Sequence, residues 1–240
     1  MKSIIVIPAR YASTRLPGKP LLQETGKYLL RHAYETALRC LRSSYVMVAT
    51  DDKRIAKAVE EFGGRVVMTS ARHASGTDRI AQAVAEIDAD VIVNLQGDEP
   101  EMPPDNIDRL IALFEDDKSL RMATLGIRCK GEGYDDPDTV KIALDADSNA
   151  LYFSRSPLPY WRDKRDKHEF IKHMGIYAYR KDFLAEYTAW PHSPLETAEK
   201  LEQLRALENG VKIRVALVEK DCAGIDTRED YEKFCQRYKR

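Results

Sequence analysis

The sequence has no long apolar run, few cysteines and almost no net charge, and each of these absences excludes a class of protein. No apolar stretch approaches the roughly 18 residues of a membrane-spanning helix, and no basic start precedes an apolar signal segment. The four cysteines are widely spaced without a C-x-x-C pair, which argues against a disulfide framework and a zinc site. A net charge of −1 favours neither nucleic acid nor an anionic membrane as a partner. We therefore expect a cytoplasmic protein without membrane insertion or nucleic-acid binding.

The first half of the chain alternates apolar strand segments with amphipathic helical segments. With 240 residues and 43% hydrophobic side chains, the chain can bury the core of one large domain. Strands are predicted at 3–7, where Pro8 is expected to end the strand, and at 45–49, 66–68 and 91–95. Helices are predicted over 30–41, from Asp51 or Asp52 to 62, over 80–87 and over 107–114. This alternation predicts βαβ units and a parallel sheet with helices on both faces.

The alternation weakens in the second half. Extended segments are predicted at 123–127, 140–144, 151–153, 176–179 and 211–218. One helix is predicted over 195–208, ending at Asn209-Gly210, and Thr227 with Asp230 can open a last helix as a capping box. A mixed, mostly parallel sheet with a smaller antiparallel part fits this pattern best, as a single α/β domain over residues 1–240.

The chemistry centres on the stretch after the predicted strand 91–95. Gln96-Gly97 breaks the apolar run and is followed directly by Asp98, Glu99 and Pro100. Ligands of open α/β sheets bind beyond the carboxyl ends of the strands. Mg²⁺ prefers carboxylate oxygens together with substrate phosphates, so Asp98 is placed to hold this ion. The alternative is that Asp98 only caps the following turn.

A basic loop follows the first predicted strand. Between Pro8 and Pro20 it carries Arg10, Arg15 and Lys19, with the hydroxyls of Ser13 and Thr14. Arginine presents a planar fork to phosphate oxygens and lysine adds a compact charge, so the loop suits a triphosphate beside Mg²⁺. The loop matches neither G-x-x-x-x-G-K-[ST] nor G-x-G-x-x-G. The alternative is a basic surface loop without a ligand.

The loop resembles the phosphate loop of sugar-activating cytidylyltransferases, and a fuller set of motifs resembles one family, the 3-deoxy-manno-octulosonate (Kdo) cytidylyltransferases, or CMP-Kdo synthetases. In chain order the motifs are Ser75-Gly-Thr-Asp78-Arg79, Asn94-Leu-Gln96-Gly-Asp98-Glu-Pro, Tyr152-Phe-Ser-Arg155-Ser-Pro, His173-Met-Gly-Ile-Tyr177, Ser193-Pro-Leu-Glu, Leu201-Glu202-Gln203-Leu-Arg and Gly224-Ile-Asp226-Thr. They run in family order over nearly the whole chain. One departure is Gly26-Lys27-Tyr28, where the family often has Gly-Lys-Pro.

The resemblance implies a Rossmann-like nucleotidyltransferase fold and the transfer of CMP from CTP to Kdo, giving CMP-Kdo and pyrophosphate for lipopolysaccharide biosynthesis. It also implies Mg²⁺ as cofactor, CTP and Kdo as substrates, and a homodimer. Within the single domain, residues 1–115 would mainly bind CTP, and residues 120–240 would mainly bind the sugar and form the dimer.

The resemblance further implies roles for matching residues. Catalytic roles fall to Arg15, Lys19, Asp98 and Asp226, with Asp98 and Asp226 as metal ligands. CTP binding falls to Arg10, Ser13, Thr14, Arg15, Lys19, Arg72, Ser75, Gly76 and Thr77, with His73 nearby. Kdo binding falls to Gln96, Arg155, Arg162, His173, Tyr177, Glu202 and Gln203.

Each role has a plain structural alternative. Asp226 can favour the dipole of the helix that Thr227 opens, and Thr77 can be a helix N-cap. His173 can be a satisfied structural histidine, Tyr177 a core residue, and Glu202 and Gln203 a solvated helix face. Alternative functions are the same reaction on 8-amino-Kdo or on another sugar acid such as sialic acid, a uridylyl or guanylyl transferase, and a catalytically silent nucleotide-sugar sensor.

Overall fold

The computed structural model describes residues 1–12, 16–163 and 169–238, and the predictions for Ser13, Thr14 and Arg15 lie outside this part of the chain. Its strands are β1 (Ser3–Ala9), β2 (Tyr45–Thr50), β3 (Val66–Met68), β4 (Val91–Asn94), β5 (Met122–Lys130), β6 (Lys141–Leu144), β7 (Ala150–Ser154), β8 (Glu169–Arg180) and β9 (Ile213–Val218). Its helices are α1 (Leu29–Ala37), α2 (Lys53–Glu61), α3 (Gly76–Val84), α4 (Pro104–Asp116), α5 (Lys181–Ala189), α6 (Pro194–Glu199), α7 (Leu204–Glu208) and α8 (Arg228–Tyr238), with a short 3₁₀ helix at Lys19–Leu21.

One mixed sheet runs through both halves of the chain. Its order is β3-β2-β1-β4-β8-β5-β9, and the pairs among β1 to β4 are parallel. The long strand β8 enters between β4 and β5 and is antiparallel to both, whereas β9 is parallel to β5. The hairpin of β6 and β7 joins through an antiparallel pairing of β6 with β8. The predicted mixed sheet with a smaller antiparallel part is therefore present.

Apolar side chains cover both faces of the sheet, as expected for parallel strands that are buried on both sides. One core cluster joins Ile5 and Val93 to α1, α2 and α4. The other cluster joins Ile4 and Ile92 to α3, α5 and α7. Within the part of the chain that the structure describes, no helix is long and apolar enough to cross a membrane.

Most predicted elements are present, but several predicted ends are wrong. β1 continues through Pro8 to Ala9, because its pairing with β4 stops at Val6 and Pro8 lies beyond that ladder. α1 ends at Ala37, so Leu41 is not on its apolar face and is 91% exposed. The segment predicted at 176–179 is only the end of the twelve-residue strand β8.

The single helix predicted over 195–208 is also wrong. The structure has two short helices, α6 and α7, separated by Lys200 in the left-handed conformation at φ 54°. A helix cannot continue through a left-handed residue, so Leu201 to Gln203 form a separate turn. The predicted capping box at the last helix is confirmed, since Asp230 N donates to Thr227 Oγ1 at 3.2 Å and Thr227 N donates to Asp230 Oδ2 at 2.9 Å.

Candidate active site

The predicted site residues meet where β1 and β4 end. These parallel neighbours bring Arg10, which follows β1, beside Gln96 and Asp98, which follow β4. Two cavities with volumes of about 300 and 390 Å³ adjoin here and share Pro8, Ala9, Arg10 and Gln96. We name the larger one the carboxylate cavity, lined also by Lys19, Asp98 and Asp226. We name the smaller one the tyrosine cavity, lined also by Ser75, Gly76, Thr77, Arg79, Asn94, Tyr177, Tyr179, Tyr187, Glu202 and Gln203.

In the carboxylate cavity one ammonium group joins both predicted metal ligands. Lys19 Nζ donates to Asp98 Oδ2 at 2.5 Å and to Asp226 Oδ1 at 3.4 Å, and also to the Ile225 carbonyl oxygen at 2.8 Å. The carboxyl-terminal segment is fixed here because Ile225 N donates to the Asp98 carbonyl oxygen at 2.9 Å. Three oxygen atoms, from Asp98 and from the adjacent Ile225 and Asp226, therefore surround one positive charge.

The tyrosine cavity lies between α3 and β8. Ser75 is the N-cap of α3 and forms a capping box with Asp78, since each side chain accepts from the other residue's backbone N–H at 3.1 Å. Tyr177 of β8 lies opposite Asn94 of β4 in the antiparallel ladder. This arrangement places predicted nucleotide contacts and predicted sugar contacts on the walls of one cavity.

Several buried polar atoms near these cavities have unused hydrogen-bonding capacity. Within the described residues, Glu99 Oε2, Glu202 Oε1 and Gln203 Nε2 are buried without a hydrogen-bond partner. Burial raises the pKa of Glu202, and burial with the nearby Asp98 charge raises the pKa of Glu99 to about 8. Burial also raises the pKa of Tyr177 well above its usual value, so its hydroxyl stays protonated and can donate. Buried polar atoms are normally paired, which makes Glu202 and Gln203 candidates for a polar ligand.

His173 is not among the described residues that line either cavity. Its Nε2 is 3.1 Å from Thr124 Oγ1, and its ring centroid is 5.3 Å from that of Tyr177. Burial lowers the pKa of His173 to about 3, so the ring is neutral near pH 7. The neutral ring therefore packs beside the Tyr177 side chain.

The structure does not bring three predicted arginines into either cavity. The Arg155 guanidinium donates to the Glu199 carbonyl oxygen at 2.7 Å and to the Pro137 carbonyl oxygen at 2.9 Å. Arg72 and Arg162 are exposed and, among the residues described, belong to the lining of neither cavity. His73, predicted to lie near the base, has its Nε2 2.6 Å from Gln82 Oε1.

Sequence reasoning assigned no role to two polar residues of the tyrosine cavity. Arg79 is buried, donates to Thr69 Oγ1 at 2.6 Å and pairs with Asp51 Oδ2 at 3.2 Å. Asn94 Oδ1 accepts from Gln96 Nε2 at 2.9 Å. A signal for both was available, because Arg79 and Asn94 belong to the motifs that begin at Ser75 and Asn94.

Comparison with known proteins shows the family to which the chain belongs. A family model described as cytidylyltransferase matches residues 4–213. The 3-deoxy-manno-octulosonate cytidylyltransferase of Geobacter metallireducens is 50% identical in an alignment 251 residues long, which covers 100% of this chain and 99% of the relative. The Escherichia coli enzyme of the same name is 46% identical over 232 residues, covering 97% of this chain and 94% of the relative.

A solved structure is similar over the same length. The CMP:2-keto-3-deoxy-manno-octonic acid synthetase complexed with CTP superposes with a TM-score of 0.95 at 45% identity, covering 99% of this chain and 98% of that one. The predicted α/β nucleotidyltransferase fold is thereby confirmed. The predicted family is confirmed as well: the chain belongs to the 3-deoxy-manno-octulosonate cytidylyltransferases.

Proposed function

We propose that this protein transfers CMP from CTP to the anomeric hydroxyl of Kdo and releases pyrophosphate, with the reaction taking place where the two cavities meet. The observation that carries the proposal is the convergence of Lys19, Asp98 and Asp226 beside a cavity lined by Tyr177, Glu202 and Gln203. The full-length relatives of this family carry the same activity in their names. A cavity lined by Lys19 and two aspartates, beside one lined by tyrosine hydroxyls and amide groups, suits a triphosphate next to a sugar.

The carboxylate cavity fits the Mg²⁺ ion that we propose at Asp98 and Asp226. Two carboxylate oxygens and the Ile225 carbonyl oxygen already converge on one cation, the Lys19 ammonium, and oxygen atoms are the ligands that Mg²⁺ prefers. Among the described residues no group of three acidic, histidine or cysteine side chains could hold a metal. Two carboxylates leave the remaining coordination positions to phosphate and water, as is usual for Mg²⁺. When bound, Mg²⁺ would supply Lewis-acid stabilisation of the phosphates and lower the pKa of a coordinated hydroxyl.

We propose that Arg10 and Lys19 bind the triphosphate, together with Ser13, Thr14 and Arg15, which lie outside the described residues. Arg10 is exposed and lines both cavities, so it can contact phosphate on either side of the α-phosphorus. Lys19 can exchange its carboxylate partners for phosphate oxygens, because all of them lie along one cavity wall. These charges would orient the α-phosphate for attack and stabilise the charge on the leaving pyrophosphate.

We propose that cytosine and ribose lie against Ser75, Gly76 and Thr77, and that the sugar acid lies against Gln96, Tyr177, Glu202 and Gln203. Two observations support this division. Ser75, Gly76 and Thr77 lie at the start of α3 on one wall of the cavity. Glu202 and Gln203, on another wall, each have a buried polar atom without a hydrogen-bond partner. His173 accepts a proton poorly at neutral pH, since burial lowers its pKa to about 3, so we propose that it orients Tyr177. Sugar contacts by Arg155 and Arg162, and a nucleotide contact by Arg72, stay predictions.

In this reaction the oxygen of the anomeric hydroxyl bonds to the α-phosphorus while the bond from phosphorus to the pyrophosphate oxygen breaks. The hydroxyl proton leaves to water. The side chains contribute mainly alignment of the two substrates and compensation of phosphate charge, because phosphoryl transfer needs little covalent chemistry from the protein.

We further propose one domain and a homodimer with twofold symmetry. Support for one domain is that β8, from the second half, pairs with β4 of the first, so neither half has a separate sheet.

Support for a dimer is that Leu151 and Tyr160 are large exposed hydrophobic residues at and after the β6–β7 hairpin. Light scattering at micromolar concentration should give twice the monomer mass, and Leu151→Arg should reduce it. A monomeric wild-type protein would contradict the dimer. The cytoplasmic location stays a prediction.

The function is tested by pyrophosphate release from CTP and Mg²⁺ when Kdo is added. We expect release with Kdo, and parallel assays with 8-amino-Kdo, sialic acid, UTP and GTP measure the preference for each substrate. A higher kcat/KM for 8-amino-Kdo or sialic acid would correct the sugar, and one for UTP or GTP would correct the nucleotide. Binding of CTP without release with any sugar would favour the nucleotide-sugar sensor.

A further inference from the structure

We propose that the buried ion pair between Glu196 and Arg205 is a positioning device that holds Glu202 and Gln203 in the orientation needed for sugar binding. This inference rests on the proposed function, which places the sugar acid against Glu202 and Gln203. Glu196 and Arg205 end the motifs Ser193-Pro-Leu-Glu and Leu201-Glu-Gln-Leu-Arg, but neither lines the tyrosine cavity among the residues described there. Their contribution to the reaction would therefore be indirect.

The turn that contains Glu202 and Gln203, with the short helices on either side, is not stable without contacts from other parts of the chain. α6 has six residues and α7 has five, and helices this short are unstable in water without tertiary contacts. The connection between them contains Lys200 at φ 54°, a conformation that costs energy for a residue with a Cβ. Glu202 and Gln203 lie in this connection, directly before α7 begins at Leu204. Their orientation must therefore be imposed by contacts from outside the turn.

The ion pair supplies such a contact with a fixed geometry. Arg205 Nε donates to Glu196 Oε2 at 2.8 Å and Arg205 Nη2 donates to Glu196 Oε1 at 2.6 Å, so the pair is bidentate. Ser193 N also donates to Oε2 at 3.1 Å, and His192 Nδ1 lies 2.8 Å from Oε1. The two side chains are only 3% and 8% exposed for Arg205 and Glu196, respectively. Although burial alone would raise the pKa of Glu196, hydrogen bonds from Arg205, His192 and Ser193 lower it to about 2.

Two routes connect this pair to Glu202. The Arg205 backbone N–H donates to the Glu202 carbonyl oxygen at 3.1 Å. The guanidinium carbon of Arg205 lies 4.9 Å from the ring centroid of Tyr187, and the Tyr187 hydroxyl donates to the same carbonyl oxygen at 2.7 Å. The backbone of Glu202 is thus held from two directions, by the Arg205 backbone and by a tyrosine that the Arg205 guanidinium contacts. Rotation of this turn would move Glu202 Oε1 and Gln203 Nε2, the two unpartnered atoms beside the cavity.

A positioning role explains why the pair is charged. Burying two charges is costly, and an apolar pair of similar volume often gives equal or greater stability. An apolar pair lacks the planar fork that fixes the angle between two side chains, and a bidentate arginine–carboxylate pair provides it. The ion pair would therefore serve the sugar site through its fixed geometry more than through its contribution to stability.

The test separates geometry from stability with three variants: Arg205→Met, Glu196→Gln and the double variant Glu196→Gln/Arg205→Met. In Arg205→Met we expect a lower melting temperature and a KM for Kdo raised about tenfold, because Glu202 and Gln203 lose their orientation. Glu196→Gln, which keeps the shape of the side chain, should raise the KM for Kdo by a smaller factor. The CTP dissociation constant from calorimetry should change less than the KM for Kdo in each variant, since neither Glu196 nor Arg205 is a proposed nucleotide contact.

The double variant is decisive. It removes the uncompensated buried charge, so the melting temperature should move back towards wild type while the KM for Kdo stays raised. A KM that recovers together with the melting temperature would show a merely structural pair and overturn the inference. The matched control is Arg121→Met, because Arg121 also pairs with a glutamate, Glu186, and lies 4.4 Å from the Phe183 ring centroid, but on the surface. Its KM for Kdo should match wild type.

Gln203→Ala, measured alongside, distinguishes failure of this inference from failure of the proposed function. If Gln203→Ala raises the KM for Kdo and Arg205→Met does not, the positioning role alone is overturned. If Gln203→Ala leaves the KM for Kdo unchanged, the proposed sugar site is wrong and the positioning role is overturned with it.

Discussion

The carboxylate cavity and the tyrosine cavity adjoin, but they hold their polar groups in opposite ways. In the carboxylate cavity the charges of Lys19, Asp98 and Asp226 compensate one another, and the two aspartates are 30% and 47% exposed. In the tyrosine cavity Glu202 and Gln203 are fixed with buried polar atoms that have no partner. Accessible charges can exchange partners with phosphate and metal at low cost. Buried unpaired atoms such as Glu202 Oε1 and Gln203 Nε2 instead penalise any ligand that fails to pair with them, which gives selectivity.

The comparison is tested most severely at the two aspartates. Asp98→Asn and Asp226→Asn should each lower turnover by about a hundredfold or more, since metal catalysis contributes several kcal/mol. The fold should survive, because both side chains are partly exposed. Pyrophosphate release at saturating Mg²⁺ measures the loss. Asp88→Asn, at an exposed carboxylate that pairs with Lys2, is the control and should be unaffected. Near-wild-type turnover of either variant would remove that residue from the metal site.

Lys19→Ala should separate the two cavities next. The substitution removes a charge-assisted contact of about 1.5–3 kcal/mol, so the affinity for CTP with Mg²⁺ should fall about ten- to hundredfold. The KM for Kdo, measured at saturating CTP, should change less. Calorimetric titration with CTP gives the first quantity and steady-state kinetics the second. Lys57→Ala, on the exposed face of α2, is a matched lysine control. An unchanged CTP affinity would contradict the phosphate role.

Tyr177→Phe and Gln203→Ala should show the reverse behaviour with a smaller effect. Each removes hydrogen-bonding groups from the tyrosine cavity and should raise the KM for Kdo about two- to tenfold, as expected for a lost bond of ~0.5–1.5 kcal/mol. Binding of CTP with Mg²⁺ should stay nearly normal. Because nucleotide and sugar contacts are proposed on the walls of the same cavity, this is a demanding test. If both variants lose CTP affinity as severely as Lys19→Ala, the division of the site is wrong.

The last expected effect concerns folding and leaves the two cavities unchanged: it is a pH dependence of stability from His173. Burial lowers its pKa from 6.5 to about 3, so between these values the unfolded state binds a proton that the folded state does not. Stability therefore falls as the pH decreases through this window, by up to about 2 kcal/mol near pH 5. Urea unfolding at about pH 7 and pH 5 should show a larger loss for wild type than for His173→Gln. Parallel losses in the two proteins would show that His173 is not buried as a neutral ring.

Local patterns in the sequence predicted most of the fold, because strand formation and helix capping depend largely on residues that are close together in the chain. Short apolar runs placed β1 to β4, and side chains that bind their own helix start predicted caps at Asp51 or Asp52 and at Thr227, of which the structure has Asp52 and Thr227. Local patterns failed where a distant contact decides the outcome. Pro8 does not end β1, since the neighbouring ladder with β4 has already stopped. Lys200 divides the predicted helix over 195–208, and residues of both resulting helices are tied by the Glu196–Arg205 pair.

For the site, the sequence by itself determined the family and the types of residue available, because motif order and side-chain chemistry can be read without coordinates. Only the tertiary structure decided which of them meet. Lys19, Asp98 and Asp226 converge because Ile225 N bonds the Asp98 carbonyl, and Arg155 is directed to the carbonyls of Pro137 and Glu199 instead of the cavities. The physical reason is that β8 pairs with β4 and β5 over long sequence separations. Such pairing depends on which strands find each other in space, and no local spacing encodes that choice.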